Sequence, residues 1–343
     1  MHKITSMKVA IVGATGYAGL ELLRLLGGHS NADIVLVTGD SNAGKSVATH
    51  APALAGLFPS LVYQPTASVL DADIDVAFLA LPHGHSQDYV VSLRARGVQV
   101  VDLGADFRLR HADDYVEWYG EAHHHPQHLG DAVYALVERH RAEIVGAPLL
   151  AIPGCYPTAT SLALGPFVDR GIIDNAGIIV NALSGVSGAG RSPSERLHFP
   201  RLAGNAEAYG LTHHRHTIEM QRELDASVLF TPHLIPVSRG MLVTAYGQLT
   251  MPFSTGAALQ VLRDTYAHDP FVVVTDEPPA MKDAVGSNLC FVSARVDERT
   301  NTLVALSALD NLIKGAAGQA IQAWNISHGF PETTALPLTG VTP

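Results

Sequence analysis

The sequence predicts an α/β protein of two domains: one built on a parallel, doubly wound sheet, the other an α+β domain on a mostly antiparallel sheet. Three observations predict it. At 343 residues the chain exceeds what one hydrophobic core usually serves. Its first part alternates short, wholly apolar runs with segments of helical spacing, as buried parallel strands and their crossover helices do. Its second part carries runs with partial apolar–polar alternation, as strands with one covered face do.

In order, Val9–Val12 reads as the first buried strand, followed by a glycine turn and the helical ELLRLLGGH. ADIVLVTGD (Ala32 to Asp40), DVAFLALP (Asp75 to Pro82) and VQVVDLG (Val98 to Gly104) repeat the strand pattern, with SQDYVVSLRARG as a helix between the last two. The HHH run at His123 to His125 reads as an exposed loop. After AIPGCYPT the rhythm changes. A helix is expected through TATSLAL (Thr158 to Leu164), then strands at GIIVNAL, LFTPHLIPV, MLVTAYGQL, FVVVT and NTLVALSAL. DNLIKGAAGQAIQAWNI (Asp310 to Ile326) reads as one last long helix.

Composition narrows the function. Hydrophobic residues make up 47% and charged ones 16%, a globular and not a disordered balance. A formal net charge of −10 argues against nucleic acid as the main partner. No apolar run reaches the roughly 18 residues of a membrane span, and MHKITSMKVAIVG has no signal-peptide pattern. Two cysteines, Cys155 and Cys290, make no disulfide framework, so a reducing cytoplasm is expected.

VAIVGATGYAGLELLRLL places Gly13, Gly16 and Gly19 between a strand and a helix. Glycine allows a tight turn and close backbone approach, and the helix start offers N–H groups and a positive dipole end, so a dinucleotide phosphate site is expected. Asp40, 21 residues past Gly19, suits a ribose hydroxyl and NAD; Ser41, Asn42 and Lys45 suit a 2′-phosphate. The residues alone leave both open.

Cys155 stands before Pro157, which suits a first helical turn, so its sulfur is expected at the positive end of a helix, where a thiolate nucleophile is favoured over a merely packed cysteine. THHRHTIE supplies His213, His214, Arg215, His216 and Glu219. His216 and Glu219 are three apart, so on a helix the carboxylate shares a face with the imidazole and would fix its tautomer. A metal site is set aside, because no acid or cysteine completes a ligand spacing. Anion holders are expected at Arg108, at Arg239 and in SGVSGAGR (Ser184 to Arg191).

Together, GATGYAG, LPHG (Leu81 to Gly84), GADFRL (Gly104 to Leu109), IPGCYPTA continuing to Leu164, Gly165 and Pro166, SGVSGAGR, HRHTIE and DNLIKGAAGQAIQ closely resemble the N-acetyl-γ-glutamyl-phosphate reductase family of arginine biosynthesis, relatives of aspartate-semialdehyde dehydrogenase. The motifs run in order along almost the whole chain. Ile218 departs from the proline usual there. The resemblance implies a Rossmann dinucleotide-binding domain over 1–154 with 310–343, and a catalytic and oligomerisation domain over 155–309. It implies NADPH, held by Gly13, Thr15, Gly16, Tyr17, Ala18, Gly19, Ser41, Lys45, Leu81, Pro82, Ser187, Gly188, Ala189, Gly190 and Asn311. It implies an acyl-phosphate substrate held by Arg108, Ser184, His213 and Arg239, with Cys155 as nucleophile and His216, supported by Glu219, as acid–base. A homodimer or homotetramer is also expected. The rivals are a reductase of the aminoadipate acyl phosphate in lysine biosynthesis, one methylene longer, and a cofactor-binding redox sensor without turnover.

Overall fold

The computed structural model describes residues 6–341 and divides into two compact units, residues 6–153 with Ala316–Leu336, and Gly154–Gly315 with 337–341. The terminal residues 1–5 and 342–343, which the expected domain ranges include, lie outside the described residues. The chain returns to the first unit at Ala316 rather than at Asp310, and leaves it again after Leu336.

The first unit is built on β1 (Met7–Val12), β2 (Ala32–Val37), β3 (Val76–Leu79), β4 (Gln99–Asp102), β5 (Val133–Tyr134) and β6 (Leu149–Ala151), in the order β2-β1-β3-β4-β6-β5 and parallel throughout. The sequence reading lacked β5 and β6, which are only two and three residues long. Helices α1 (Tyr17–Leu26), α2 (Gln87–Ala95), α3 (Ala112–Tyr119) and α4 (Val137–Ile144) belong to this unit. β3 and β4 are buried along their whole length, which explains why they read as continuous apolar runs. The His123–His125 run is not simply an exposed loop. His123 is buried, pairs through Nε2 with the Asp106 carbonyl (2.8 Å) and packs on Phe107 and Tyr115, so its ring serves the core.

The second unit carries α5 (Cys155–Val168), β7 (Ile178–Gly185), β8 (Glu207–Ala208), α6 (His216–Leu224), β9 (Val228–Ile235), β10 (Met241–Gln248), α7 (Thr255–Thr265), β11 (Val272–Val274), β12 (Cys290–Asp297) and β13 (Thr302–Leu309). Its sheet runs β11-β12-β13-β10-β7-β9-β8. It is mixed: β7–β9 and β11–β12 pair in parallel, the other four pairs antiparallel. Strand β12 was missing from the sequence reading.

Helix α5 is buried on all sides, so it reads as apolar all round rather than amphipathic. Pro166 sits inside it and has no N–H for the Leu162 carbonyl one turn back. The Tyr266 hydroxyl donates to that carbonyl instead (2.6 Å), so the buried acceptor keeps a partner. The last segment is not one regular helix: a π turn at Ile313–Ala317 precedes α8 (Gly318–Ser327).

Strands β7, β9, β10 and β13 alternate buried and partly exposed residues. On their open face the register aligns Leu229, Ile179, Tyr246 and Val304 in one row across four strands. Leu229 is 51% exposed and Ile179 40%. Four strands with apolar residues in one open row are an unusual solvent surface.

Candidate functional site

In the first unit, the ends of β1, β2 and β3 meet at the glycine turn. Gly13 has φ +79°, and a Cβ there would lie 2.5 Å from the Ala80 carbonyl oxygen and 3.3 Å from the Leu81 side chain. A Cβ on Gly19 would lie 2.4 Å from the Gly13 carbonyl oxygen, so both positions need glycine for close approach. Gly16 is the N-cap of α1, with no side-chain capping bond and no acid in the first turn. Thr15, Tyr17 and Ala18 complete the turn, and Tyr17 is 40% exposed. This is an uncluttered helix start of the kind that accepts phosphate. The cradle therefore fits a dinucleotide.

At the end of β2, Asp40 turns back on its own loop: its Oδ1 accepts the Thr66 N–H at 2.7 Å. Ser41 and Lys45 lie in the following turn, where Lys45 Nζ donates to Asn42 Oδ1 (3.2 Å). One oxygen of the exposed Asp40 carboxylate is thus engaged by backbone.

Pro82 begins a loop fixed by Asp106. That buried carboxylate accepts the Gly84 N–H (2.7 Å), the Ser86 N–H (3.0 Å) and the Ser86 hydroxyl (2.7 Å), and pairs with His83 Nδ1 (2.6 Å). Burial works to raise its pKa, but the bonds from His83, Gly84 and Ser86 outweigh it and hold it down to about 2. Asp102 behaves oppositely: burial and the Asp106 charge push it up to about 7. Arg108 Nη2 donates to the Leu103 carbonyl (2.8 Å) in this same loop region of the first unit.

In the second unit, Cys155 is the first residue of α5 and is half-buried, whereas Cys290 is fully buried at the start of β12. Gly154 is the N-cap. A Cβ there would lie 2.6 Å from His216 Nε2 and 2.7 Å from Cε1, so the imidazole sits directly against the backbone before the thiol. His216 opens α6, and Glu219 stands one turn on. Their separation is 3.9 Å from Nε2 to Oε1, an ion-pair contact and not a hydrogen bond. Glu219 instead uses Oε2 to accept the Gly154 N–H at 3.0 Å. The carboxylate expected to orient the imidazole thus also holds the backbone of the residue before the cysteine.

Around this pair stands an aromatic wall that the sequence reading missed. The hydroxyls of Tyr156 and Tyr209 meet at 3.0 Å, and the Arg196 guanidinium lies 4.8 Å over the Tyr209 ring. His214 packs edge-on against Tyr156, Tyr209 and Phe230. Burial, then the Arg215 charge, lowers its pKa to about 4, so it stays neutral and its Nδ1 accepts the His216 N–H (3.1 Å). His213, by contrast, is exposed.

The remaining expected residues gather at the ends of β7, β9 and β13. Ser184 is buried and donates to the Gly185 carbonyl (3.1 Å). Ser187, Gly188 and Ala189 form a 3-10 turn, and Gly190 follows with φ +82°. Asn311 accepts the Gly240 N–H (2.8 Å) and donates to Ser187 Oγ (2.9 Å), so its amide braces two loops. Arg239 pairs with Asp310 at 3.4 Å. Asp310 and Gly315, central to this geometry, were not singled out by the sequence. Among the described residues, no group of three or more His, Cys, Asp or Glu could hold a metal ion, and no helix is long and apolar enough to cross a membrane.

Comparison with known proteins agrees across both units. Residues 8–147 match the semialdehyde dehydrogenase NAD binding domain, and residues 155–311 the semialdehyde dehydrogenase dimerisation domain. The chain is 43% identical over 345 residues to the N-acetyl-γ-glutamyl-phosphate reductase of Moorella thermoacetica, covering 98% of this chain and 100% of that protein. The reductase of the same name from Dehalococcoides mccartyi is 40% identical, covering 98% and 99%. Among solved structures, aspartate semialdehyde dehydrogenase II from Vibrio cholerae superposes with a TM-score of 0.70 at 20% identity, covering 94% of this chain and 98% of that one. The Candida albicans enzyme with NADP gives 0.67 at 19%, with the same coverage, so both support the fold.

Proposed function

This chain belongs to the N-acetyl-γ-glutamyl-phosphate reductase family, and we propose that it reduces N-acetyl-γ-glutamyl phosphate to N-acetylglutamate 5-semialdehyde, with NADPH as reductant and release of phosphate, in arginine biosynthesis. The observation that carries the reading is a cysteine at the first position of a buried helix with an imidazole against its backbone. The Cys155 sulfur attacks the acyl carbon; a carbon–sulfur bond forms, the bond to the phosphate oxygen breaks, and phosphate leaves. When the thioester is reduced, His216 gives a proton to the carbonyl oxygen, forming a thiohemiacetal on Cys155; as the carbon–sulfur bond then breaks, His216 takes that proton back and the sulfur leaves as thiolate. Glu219 holds the Gly154 amide, which keeps the thiol at the helix end. Arg239 and Arg108 are anion holders, the first for the substrate carboxylate and the second for the leaving phosphate. Bound NADPH supplies the hydride that makes the acyl carbon an aldehyde. Gly13, Gly16, Gly19 and Leu81 would hold its phosphates and ring system, with Ser41 and Lys45 at the 2′-phosphate. The engagement of Asp40 Oδ1 by the Thr66 N–H supports NADPH over NADH.

The test is direct. Incubated with N-acetyl-γ-glutamyl phosphate, the chain is expected to oxidise NADPH and release one phosphate per NADPH. The aminoadipate analogue, one methylene longer, is expected to react at least about tenfold less efficiently in kcat/KM. No NADPH oxidation with either acyl phosphate would overturn the reading and leave a non-catalytic cofactor binder.

The open sheet row supports a second statement: two copies associate through the face carrying Leu229, Ile179, Tyr246 and Val304. Apolar rows of this kind are buried in obligate dimers. Ile179→Lys is expected to give a monomer by light scattering while the unmodified chain gives a dimer or tetramer; an unchanged mass for the variant would reject this face.

A further inference from the structure

Asp310 is completely buried just after β13. Its Oδ1 accepts the N–H groups of Leu312 (2.8 Å) and Ile313 (3.2 Å). Its Oδ2 accepts the Gly286 N–H (2.9 Å) and faces Arg239 Nη1 at 3.4 Å. Its backbone carbonyl accepts the Gly315 N–H at 2.9 Å, a five-residue step that closes the π turn. A buried charge is costly unless its lone pairs are filled, and here the partners fill them. π turns are rare and tend to occur where side chains must be placed for function.

What the π turn places is Gly315. A Cβ on Gly315 would lie 2.6 Å from the Cys155 β-carbon and 3.3 Å from its Cα. The glycine therefore forms the wall against which the cysteine side chain rests. On its other side, the same carboxylate faces the guanidinium of Arg239, whose side chain is 30% exposed.

We propose that Asp310 is a positioning residue that sets two groups at once: the Arg239 guanidinium by direct pairing, and the Cys155 side chain through the π turn and Gly315. The inference rests on the reading above for what Arg239 and Cys155 do. One buried carboxylate then fixes the distance between the anchor of the substrate carboxylate and the attacking sulfur. Chain-length selectivity among acyl phosphates would depend on that distance.

Two variants test it. Asp310→Asn keeps the shape and removes the charge. It is expected to raise KM for N-acetyl-γ-glutamyl phosphate about tenfold, but less than about threefold in an Arg239→Gln background, because the two residues act as one unit. A carboxylate that only stabilised the fold would raise KM equally in both backgrounds, and that result overturns the pairing. Gly315→Ala keeps Asp310 intact. It is expected to slow alkylation of Cys155 by iodoacetamide at least about tenfold while KM stays within about twofold. An unchanged alkylation rate overturns the second half, and decides alone should Asp310→Asn not fold. Alkylation needs neither substrate nor cofactor, so it stands apart from failure of the proposed reaction, which absence of NADPH oxidation by the unmodified chain would reveal.

Discussion

Replacing Cys155 by serine is expected to lower NADPH-dependent reduction of the acyl phosphate by roughly a thousandfold or more, because under the proposed mechanism the variant loses the group that would carry the acyl chain. The hydroxyl fits the same space at the start of α5, so the variant is expected to melt within a few degrees of the unmodified chain and to bind NADPH as well. Serine is a poor substitute because its hydroxyl stays protonated near neutral pH, while a thiol at a helix start has an accessible anion. Retention of a tenth of the turnover would end the nucleophile assignment. The same assignment predicts selective chemistry. Cys155 is half-buried and should take up one equivalent of iodoacetamide quickly; Cys290 is fully buried in β12 and should stay unmodified until the protein unfolds. Equal rates at the two thiols, read by peptide mass spectrometry, would contradict it.

In the parallel half, β3 and β4 were legible because they are buried on both faces, so that VAFL and QVVD announce themselves as apolar or near-apolar runs. The glycine turn was legible because Gly13 and Gly19 are forced by backbone contacts, a constraint that leaves its mark in the sequence itself. Strand β12 was missed although Cys290, Val292, Ala294 and Val296 recur at every second position, because Phe291 and Ser293 between them blur the apolar–polar contrast. The last helix was extended too far because DNLIKGAAG has helical composition; a π turn differs from an α-helix by one hydrogen-bond step and has no periodic signature.

At the cysteine, residue types were legible and pairings were not. His216 and Glu219 share the first turn of α6, as their spacing required. Spacing within one helix says nothing about a second backbone arriving between them, and Gly154 arrives there: its N–H takes the carboxylate and its Cα faces the ring. Asp310 was passed over because it was counted as the first residue of a helix, where an aspartate is ordinary. Only the fold brings Gly286 and Arg239 to its other oxygen.

Gly154→Ala should therefore be among the most damaging small substitutions in the chain, and the reason is separable from strain. Gly154 has φ −66° and ψ 155°, a conformation any residue adopts, so alanine costs nothing in backbone terms. Its methyl group would lie 2.6 Å from His216 Nε2 and must push the imidazole away. Losing a positioned acid–base group typically costs roughly a hundredfold or more in rate, so kcat is expected to fall by about that factor, with KM changed little. The Glu219 bond to the amide of residue 154 survives, and the melting temperature should fall only modestly. A double-mutant cycle isolates the cause. In a His216→Ala background the ring is gone, the methyl has room, and Gly154→Ala should cost less than about threefold further. Equal losses in the two backgrounds would mean that the methyl group harms something other than His216, and displacement of the imidazole would have to be given up as the explanation.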